Sequence, residues 1–207
     1  NRSGVTFSSR QQKKTFEFEN TTAYKFYKIT ITQNNGAPMT QFSELQLADR
    51  RQPGIGTDYT GLVDLDSLSG SDDFKPEESK PMLFDHNTFS KFLTNKKPTT
   101  NDPVVVAFRM KKPVPVSTYI IGAGPDELTR NPKSWRFEGS QNGTNWVTLD
   151  QQFGIVFKAE QETQRFTFSN QTEYSYYRIV ITENNGAPMT QFSELQLYGA
   201  AEEQTPG

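Results

Sequence analysis

The chain has 207 residues, room for one large domain or one and a half small ones, with 22 basic and 24 acidic side chains and a formal net charge of −2. These charges are evenly mixed, so the sequence carries neither an electrostatic footprint for nucleic acid nor a basic stripe for an anionic membrane. It has no cysteine, which excludes disulfides and thiolate metal sites, and no run approaches the roughly 18 apolar residues of a membrane span. Sixteen Phe and 8 Tyr, broken up by 14 Gly and 12 Pro, suit strands and turns more than helices. No signal peptide is visible, and because Asn1 is not a start residue the chain is expected to belong to something longer.

The first element in chain order announces a repeat. Residues 15–47, TFEFENTTAYKFYKITITQNNGAPMTQFSELQL, match residues 165–197 at an offset of 150, with 23 of 33 pairs identical. The last 14 pairs, NNGAPMTQFSELQL, are all the same; the 19 before them agree at 9 positions. A unit of that length is too long for a solenoid and fits a domain duplication. Residues 1–49 are then the C-terminal fragment of a first module, too small to bury a full core alone. The fragment must pack on the complete module, pair with another chain, or be marginally ordered. Between copies Phe16, Phe18, Tyr27, Ile29 and Ile31 are kept, while Glu17, Lys28 and Thr30 change. Constancy on alternate residues is the mark of a half-buried strand. The inward set of the second copy is therefore Phe166, Phe168, Tyr177, Ile179 and Ile181.

Residues 50–57 read as a linker and residues 64–82, rich in Ser, Asp, Glu and Pro, as a solvated loop. Strands are expected at 103–110, 114–121, 134–140, 145–149, 154–158, 164–169, 175–183 and 192–198, joined by turns such as GAGPDE and SQNGTN. Trp135 shares a strand face with Phe137, so it reads as core; Trp146, after an Asn-Gly turn, is also assigned to the core. Eight short strands without an amphipathic helix indicate an all-β sandwich or jelly roll.

Three segments carry a family resemblance. SWRFEGSQNGTNWVTL resembles the strand, Ser, Asn-Gly and Trp hallmark of discoidin domains, also called coagulation-factor type C domains. LFDHNTFSKF (83–92) is similar to that family's early Asp-Gly-Asp-x-x-Thr-x-Trp segment, and YYRIVITENNGAPMTQFSELQLYG to its closing strand, loop and Ala-Glu-Leu strand. The three stand in family order over residues 58–199, with residues 200–207 left as a tail. Phe92 and His86 replace the early segment's tryptophan and glycine, and the bracketing cysteine pair of many animal members is missing. These departures tilt the comparison towards bacterial members, the family 32 carbohydrate-binding modules. The resemblance implies a discoidin-like jelly-roll β-sandwich of the galactose-binding-domain-like class.

It also implies a structural calcium ion. Carried over by position, Asp85, Asn87 and Ser90 would supply loop oxygens, Glu194 would close the site from the last strand, and the Ser193 carbonyl would lie nearby. Calcium takes six to eight hard oxygen ligands, backbone carbonyls included. The alternative is an Asx-turn at Asp85 with Glu194 exposed. Glu44 repeats Glu194, but its partner loop lies outside the sequence, so the fragment is expected to hold no such ion. Sugar ligands of the family sit in loops at one end of the sandwich, where rings stack on apolar sugar faces and polar side chains meet hydroxyls. The loop candidates are His86 and Phe89, then Asp126, Arg130 and Asn131, then Asn184 and Asn185. Each has an ordinary turn role as its alternative, and Asn184-Asn185-Gly186 suits a left-handed turn.

His86 is the only histidine, which excludes His-pair metal sites and leaves Ser-His-Asp catalysis remote. The expectation is a non-catalytic module of a larger secreted, periplasmic or cell-surface bacterial protein, partnered by a glycan or glycoconjugate. Two other readings stay open. One is a protein- or phospholipid-binding discoidin module, with Phe89 and Met189 as its apolar loop tips. The other is a structural spacer of a glycoside hydrolase.

Overall fold

The structure is a computed structural model that describes residues 2–7, 14, 16, 26–43, 45 and 56–201. The expectations at Phe18 and Glu44, and most of the proposed linker and tail, lie outside these residues. The chain divides into two compact units, Asn1–Ala48 and Asp49–Gly207.

The larger unit is a sandwich of ten strands, β1 (Val63–Gly70), β2 (Phe92–Thr94), β3 (Val104–Val114), β4 (Thr118–Gly122), β5 (Pro132–Ser140), β6 (Val147–Gln152), β7 (Thr163–Thr167), β8 (Tyr174–Asn184), β9 (Thr190–Phe192) and β10 (Glu194–Tyr198). A five-stranded sheet in the order β1-β3-β8-β5-β6 faces a three-stranded sheet β10-β4-β7, and β2 pairs with β9. Every pairing is antiparallel. The described helical turns are short 3-10 pieces, such as Lys80–Phe84 and Leu128–Arg130.

Period-two alternation builds the core. On β3, Val104, Val106, Phe108 and Met110 point inward; on β8, Tyr177, Ile179 and Ile181 are fully buried. Phe166 is buried and Phe168 packs against the same cluster, so the inward set expected from the repeat is the inward set of the fold. The Tyr119 ring stacks on Phe137 with centroids 4.6 Å apart, and Trp135 meets Phe166 edge-on at 5.1 Å. Trp135 Nε1 donates to the Tyr119 hydroxyl at 2.8 Å, and that hydroxyl donates to Asp150 Oδ2 at 2.6 Å. Two large aromatic rings thus enter the core with their polar atoms satisfied, as burial requires.

Several expectations change. Residues 64–82 are not all loop: β1 runs through residues 63–70 and pairs with β3. Its register shift between Asp64 and Ser69 breaks the alternation that marks a strand. Ser67 Oγ repairs the ladder there, accepting from Arg109 N at 2.8 Å and donating to Asp64 O at 2.6 Å. Residues 154–158 form no strand; Gly154 has φ +67° and Ile155 N turns to Lys133 O at 2.8 Å. The segment 192–198 is two strands, because the chain leaves β2 and joins β4 at Ser193. Trp146 is half-buried on the outer face instead of in the core, with the Arg178 guanidinium 4.3 Å from its ring centre.

In the smaller unit the described residues include no strand, and Phe16, Tyr27, Ile29, Ile31 and Phe42 are exposed.

Candidate functional site

Loops from four connections gather at one end of the sandwich. Pairing of Gly122 with Glu194, of Pro132 with Asn184 and of Phe92 with Phe192 brings the ends of β4, β5, β2 and β10 to one level. Residues 85–91, 123–131, 158–162 and 185–189 project from there. They are tied by backbone bonds, Asn185 N to Asn131 O at 3.1 Å and Gln161 N to Gly124 O at 3.3 Å. Thr88 Oγ1 adds a longer bond to Gln161 Oε1 at 3.4 Å.

The sugar candidates lie in these loops, apart from Asn184, which ends β8 beside them, but they do different work. Asn131 is completely buried; its Oδ1 accepts from Gly124 N at 2.9 Å and its Nδ2 donates to Leu128 O at 3.1 Å. Asn184 Nδ2 donates to Ala187 O, Met189 O and Thr190 Oγ1 at 3.0, 2.8 and 3.1 Å. Its Oδ1 accepts from the amide of Gly186, whose φ of +116° is one that favours glycine. Asn185 Nδ2 spans to Asn131 O at 3.0 Å and Pro132 O at 3.3 Å. These three amides hold the loops in shape. His86 is exposed with φ +55° and lies 3.6 Å from Asp58. Phe89 is 69% exposed, whereas Met189 is half-buried. Arg130 is half-buried, and among the described residues no hydrogen bond or ion pair engages its guanidinium.

Asp126 belongs to a network that sequence reading did not find. The buried Lys91 ammonium contacts Asp126 Oδ1 and Oδ2 at 2.7 and 2.6 Å, Gln191 Oε1 at 3.0 Å and Glu78 Oε1 at 3.7 Å. Gln191 Nε2 in turn donates to Asp126 O at 2.9 Å. Burial opposes the Asp126 charge, but the hydrogen bonds from Lys91 and Gln191 prevail and hold its pKa below the ordinary value. The one available signal is a lysine in FSKFLT directly before Phe92 and Leu93, which enter the core.

Of the residues carried over for a metal, Asp85, Asn87, Ser90 and Glu194 come together, and Ser193 adjoins them as the residue before Glu194. Asp85 Oδ1 accepts from Asn87 N at 2.9 Å, and Glu194 Oε1 accepts from the same amide at 2.5 Å. Ser90 Oγ donates to Asp85 Oδ2 at 2.6 Å and to Asn87 O at 2.8 Å. So the Asx-turn is present, but Glu194 is completely buried instead of exposed. Burial, and the Asp85 carboxylate beside it, push its pKa up to about 8. Ser193 Oγ is buried without a hydrogen-bond partner, against Gly122, where any Cβ would lie 2.4 Å from that oxygen. Two carboxylates facing one another, surrounded by hydroxyl and carbonyl oxygens, form a donor set that fits a hard divalent cation. No group of three or more Asp, Glu or His side chains converges among the described residues, so such an ion would rest on two carboxylates and neutral oxygens.

Solved structures with this architecture are numerous. CpGH89CBM32-5 from Clostridium perfringens, in complex with GalNAc-β-1,3-galactose, has a TM-score of 0.55 at 11% identity over 69% of this chain and 100% of that one. The family 32 module of Clostridium perfringens NanJ, in complex with galactose, has a TM-score of 0.54 at 12% identity over 68% and 96%. The F5/8 type C domain of a Bacteroides fragilis protein has a TM-score of 0.55 at 17% identity over 65% and 91%. At such identities the likeness is one of fold. Among curated protein sequences, none matches this chain. Residues 68–195 match the F5/8 type C domain family over more than half of the sequence, and the chain belongs to that family.

Proposed function

We propose that the larger unit is a non-catalytic carbohydrate-binding module of a larger secreted, periplasmic or surface-exposed bacterial protein, taking glycan at the loop end of the sandwich. The observation that carries this reading is Arg130, a guanidinium at the loop end with no hydrogen bond or ion pair among the described residues. A planar donor of this kind suits sugar hydroxyls. In the neighbouring loop the Phe89 ring stands exposed, the surface on which an apolar sugar face stacks. Asp126 lies beside them with its carboxylate oriented by Lys91. His86 completes the rim, while Asn131, Asn184 and Asn185 act by holding the loops.

Asp85 and Glu194, with oxygens of Asn87 and Ser90 and the Ser193 carbonyl, would hold calcium behind this surface. Bound there, the ion would supply the positive charge that the buried Glu194 lacks and would fix the 85–91 loop that carries Phe89.

A glycan array probed with the intact chain, including galactose- and GalNAc-terminated glycans, tests the sugar reading. Binding should be lost in Arg130→Ala and Phe89→Ala with the fold intact; no binding to any glycan would favour a purely structural role. Thermal melting tests the ion: the midpoint should rise with calcium over chelator, by about 2.7 kcal/mol of stability at a hundredfold excess over Kd. Glu194→Gln should lose that response, and an unchanged wild-type midpoint would remove the calcium proposal.

A further inference from the structure

A second surface, far from the loops, has the makings of a ligand site. On β3 and β8 the residues that alternate with the core set point outward, which places Ala107 and Arg109 beside Arg178 and Tyr176 in the pairing register. At the sheet edge the shift in β1 displaces the strand between Asp64 and Ser69. At the other side the 140–145 turn is fixed by its own side chains. Ser140 Oγ accepts from Gly143 N at 3.0 Å, and Asn142 Oδ1 accepts from Thr144 N and Asn145 N at 3.0 and 2.9 Å. Between the displaced strand and this turn lies a cleft of about 260 Å³, bordered by Trp146, Tyr176, Arg109, Asn142 and Ser69.

Small residues keep the cleft open. Ala107 and Ser69 border it, and Gly143, at φ +75°, faces the Tyr176 ring. A Cβ there would come within 3.4 Å of that ring. Its aromatic wall is held in place. The Arg178 guanidinium covers one part of Trp146 at 4.3 Å and is itself fixed by Glu138 Oε2 at 2.5 Å. Arg109, the one charged side chain among the lining residues, is paired with Asp64 Oδ2 at 2.5 Å, and Arg178, behind Trp146, shares Glu138 with Arg136. The cleft itself therefore offers rings and hydrogen-bonding groups with its one charge already paired. An anionic ligand has no free cation here, and a purely apolar one would cover the Arg109 and Asn142 side chains.

We propose that this outer-face cleft, built on Trp146 and Tyr176, is a second binding site for one ring of an uncharged saccharide. The volume lies just below the usual ligand-pocket range of about 300 Å³ upward, which suits a single ring more than a chain. The site stands at the opposite ends of β5 and β8 from the loop site, on the order of 25 Å away at the rise of a strand. Two separated sites on one rigid sandwich would raise retention on a branched or densely displayed glycan through effective concentration. The inference goes beyond the loop-end reading and does not depend on it.

The test is two-dimensional NMR of the isotopically labelled chain, titrated separately with galactose, N-acetylgalactosamine and cellohexaose. Trp135, buried with its indole N–H bonded to Tyr119, serves as the reference for an intact core. With at least one sugar the Trp146 indole and the Ala107 and Gly143 amides should shift to saturation. Ala107→Leu and Ser69→Leu, which fill the cleft from two sides, should each weaken that response about tenfold or more with the Trp135 resonance unmoved. Arg130→Ala should leave it intact. Shifts confined to residues 85–91, 123–131 and 184–191 would overturn the cleft while supporting the loop site. Shifts at Trp146 alone would support the cleft and count against the loop site. No movement of Trp146 with any of the three sugars would overturn it as well.

Discussion

The two copies of NNGAPMTQFSELQL are the same chain segment in two surroundings. In the second copy Asn184 Nδ2 bonds Ala187 O, Met189 O and Thr190 Oγ1; in the first, Asn34 Nδ2 bonds Ala37 O, Met39 O and Thr40 Oγ1 at 2.8, 3.1 and 3.2 Å. Gly36 has φ +96° and donates to Asn34 Oδ1, as Gly186 does to Asn184. The loop is thus written in its own residues. The strands around it are not. Tyr177, Ile179, Ile181 and Phe192 are all completely buried in sheets, while Tyr27, Ile29, Ile31 and Phe42 are 54%, 56%, 45% and 57% exposed and belong to no strand. A turn closes on itself over a few residues, whereas a strand exists only where neighbours complete its ladder and cover its apolar face.

The sharpest break in that comparison is a matched pair of truncations. Ile179→Ala removes a core side chain and is expected to cost about 2–5 kcal/mol. Ile29→Ala, the same change in the first copy, should stay within about 0.5 kcal/mol, as exposed substitutions do. Urea unfolding of both variants measures the difference. A comparable loss at Ile29 would mean that the first copy has a core of its own.

The turn gives a smaller contrast. Asn184→Ala leaves the Ala187 and Met189 carbonyls and the Thr190 hydroxyl without their donor in a buried loop, at an expected cost of about 1–3 kcal/mol. Thr190 Oγ1 also donates to Lys96 O at 2.8 Å, so the loss should reach the 95–97 segment. Asn34→Ala removes the same local bonds where water can replace them and should cost under about 0.5 kcal/mol. Denaturant midpoints decide this too, and equal costs would show that the loop's own hydrogen bonds outweigh its setting.

The same division between local and distant causes explains what was legible in the sequence. Alternation in the repeat identified Phe166, Phe168, Tyr177, Ile179 and Ile181 because a two-residue period survives wherever a strand is half-buried. The strand at residues 63–70 escaped because a register shift breaks that period and serine side chains take over ladder bonds. Trp146 reads as core from its hydrophobicity alone, but its ring lies on the outer face against a guanidinium that comes from residue 178. At the loop end, the positions of the candidates followed from the family pattern, yet their roles did not. Asn131 and Phe89 are both loop residues by sequence; only long-range bonds separate the amide that ties Gly124 from the ring that faces solvent. Lys91, Asp126 and Gln191 are 35 to 100 residues apart in sequence, and no local pattern could join them.

Among the differences between the copies, all of them outside the identical block, is Arg178 opposite Lys28. Arg178→Lys gives the second copy the first copy's residue and asks whether the planar group matters. Glu138 is buried, which alone would raise its pKa, but hydrogen bonds from Arg136 and Arg178 outweigh this and hold it below the ordinary value. A group depressed in the folded state contributes stability above its unfolded pKa and loses it as pH falls through the folded one. Lysine keeps the charge but presents no flat fork to carboxylate and indole together, so the depression should lessen. At pH 7 the variant is then expected to be about 1 kcal/mol less stable, less than the roughly 1.5–3 kcal/mol of a whole charge-assisted hydrogen bond because lysine keeps the charge. Because protonation removes what Arg178 adds, that gap should close as pH falls from about 4.5 towards the folded pKa of Glu138. Urea midpoints measured across pH 3 to 7 read the effect directly. A gap that stays constant with pH would place the role of Arg178 in its packing on Trp146, leaving Glu138 without a part in it.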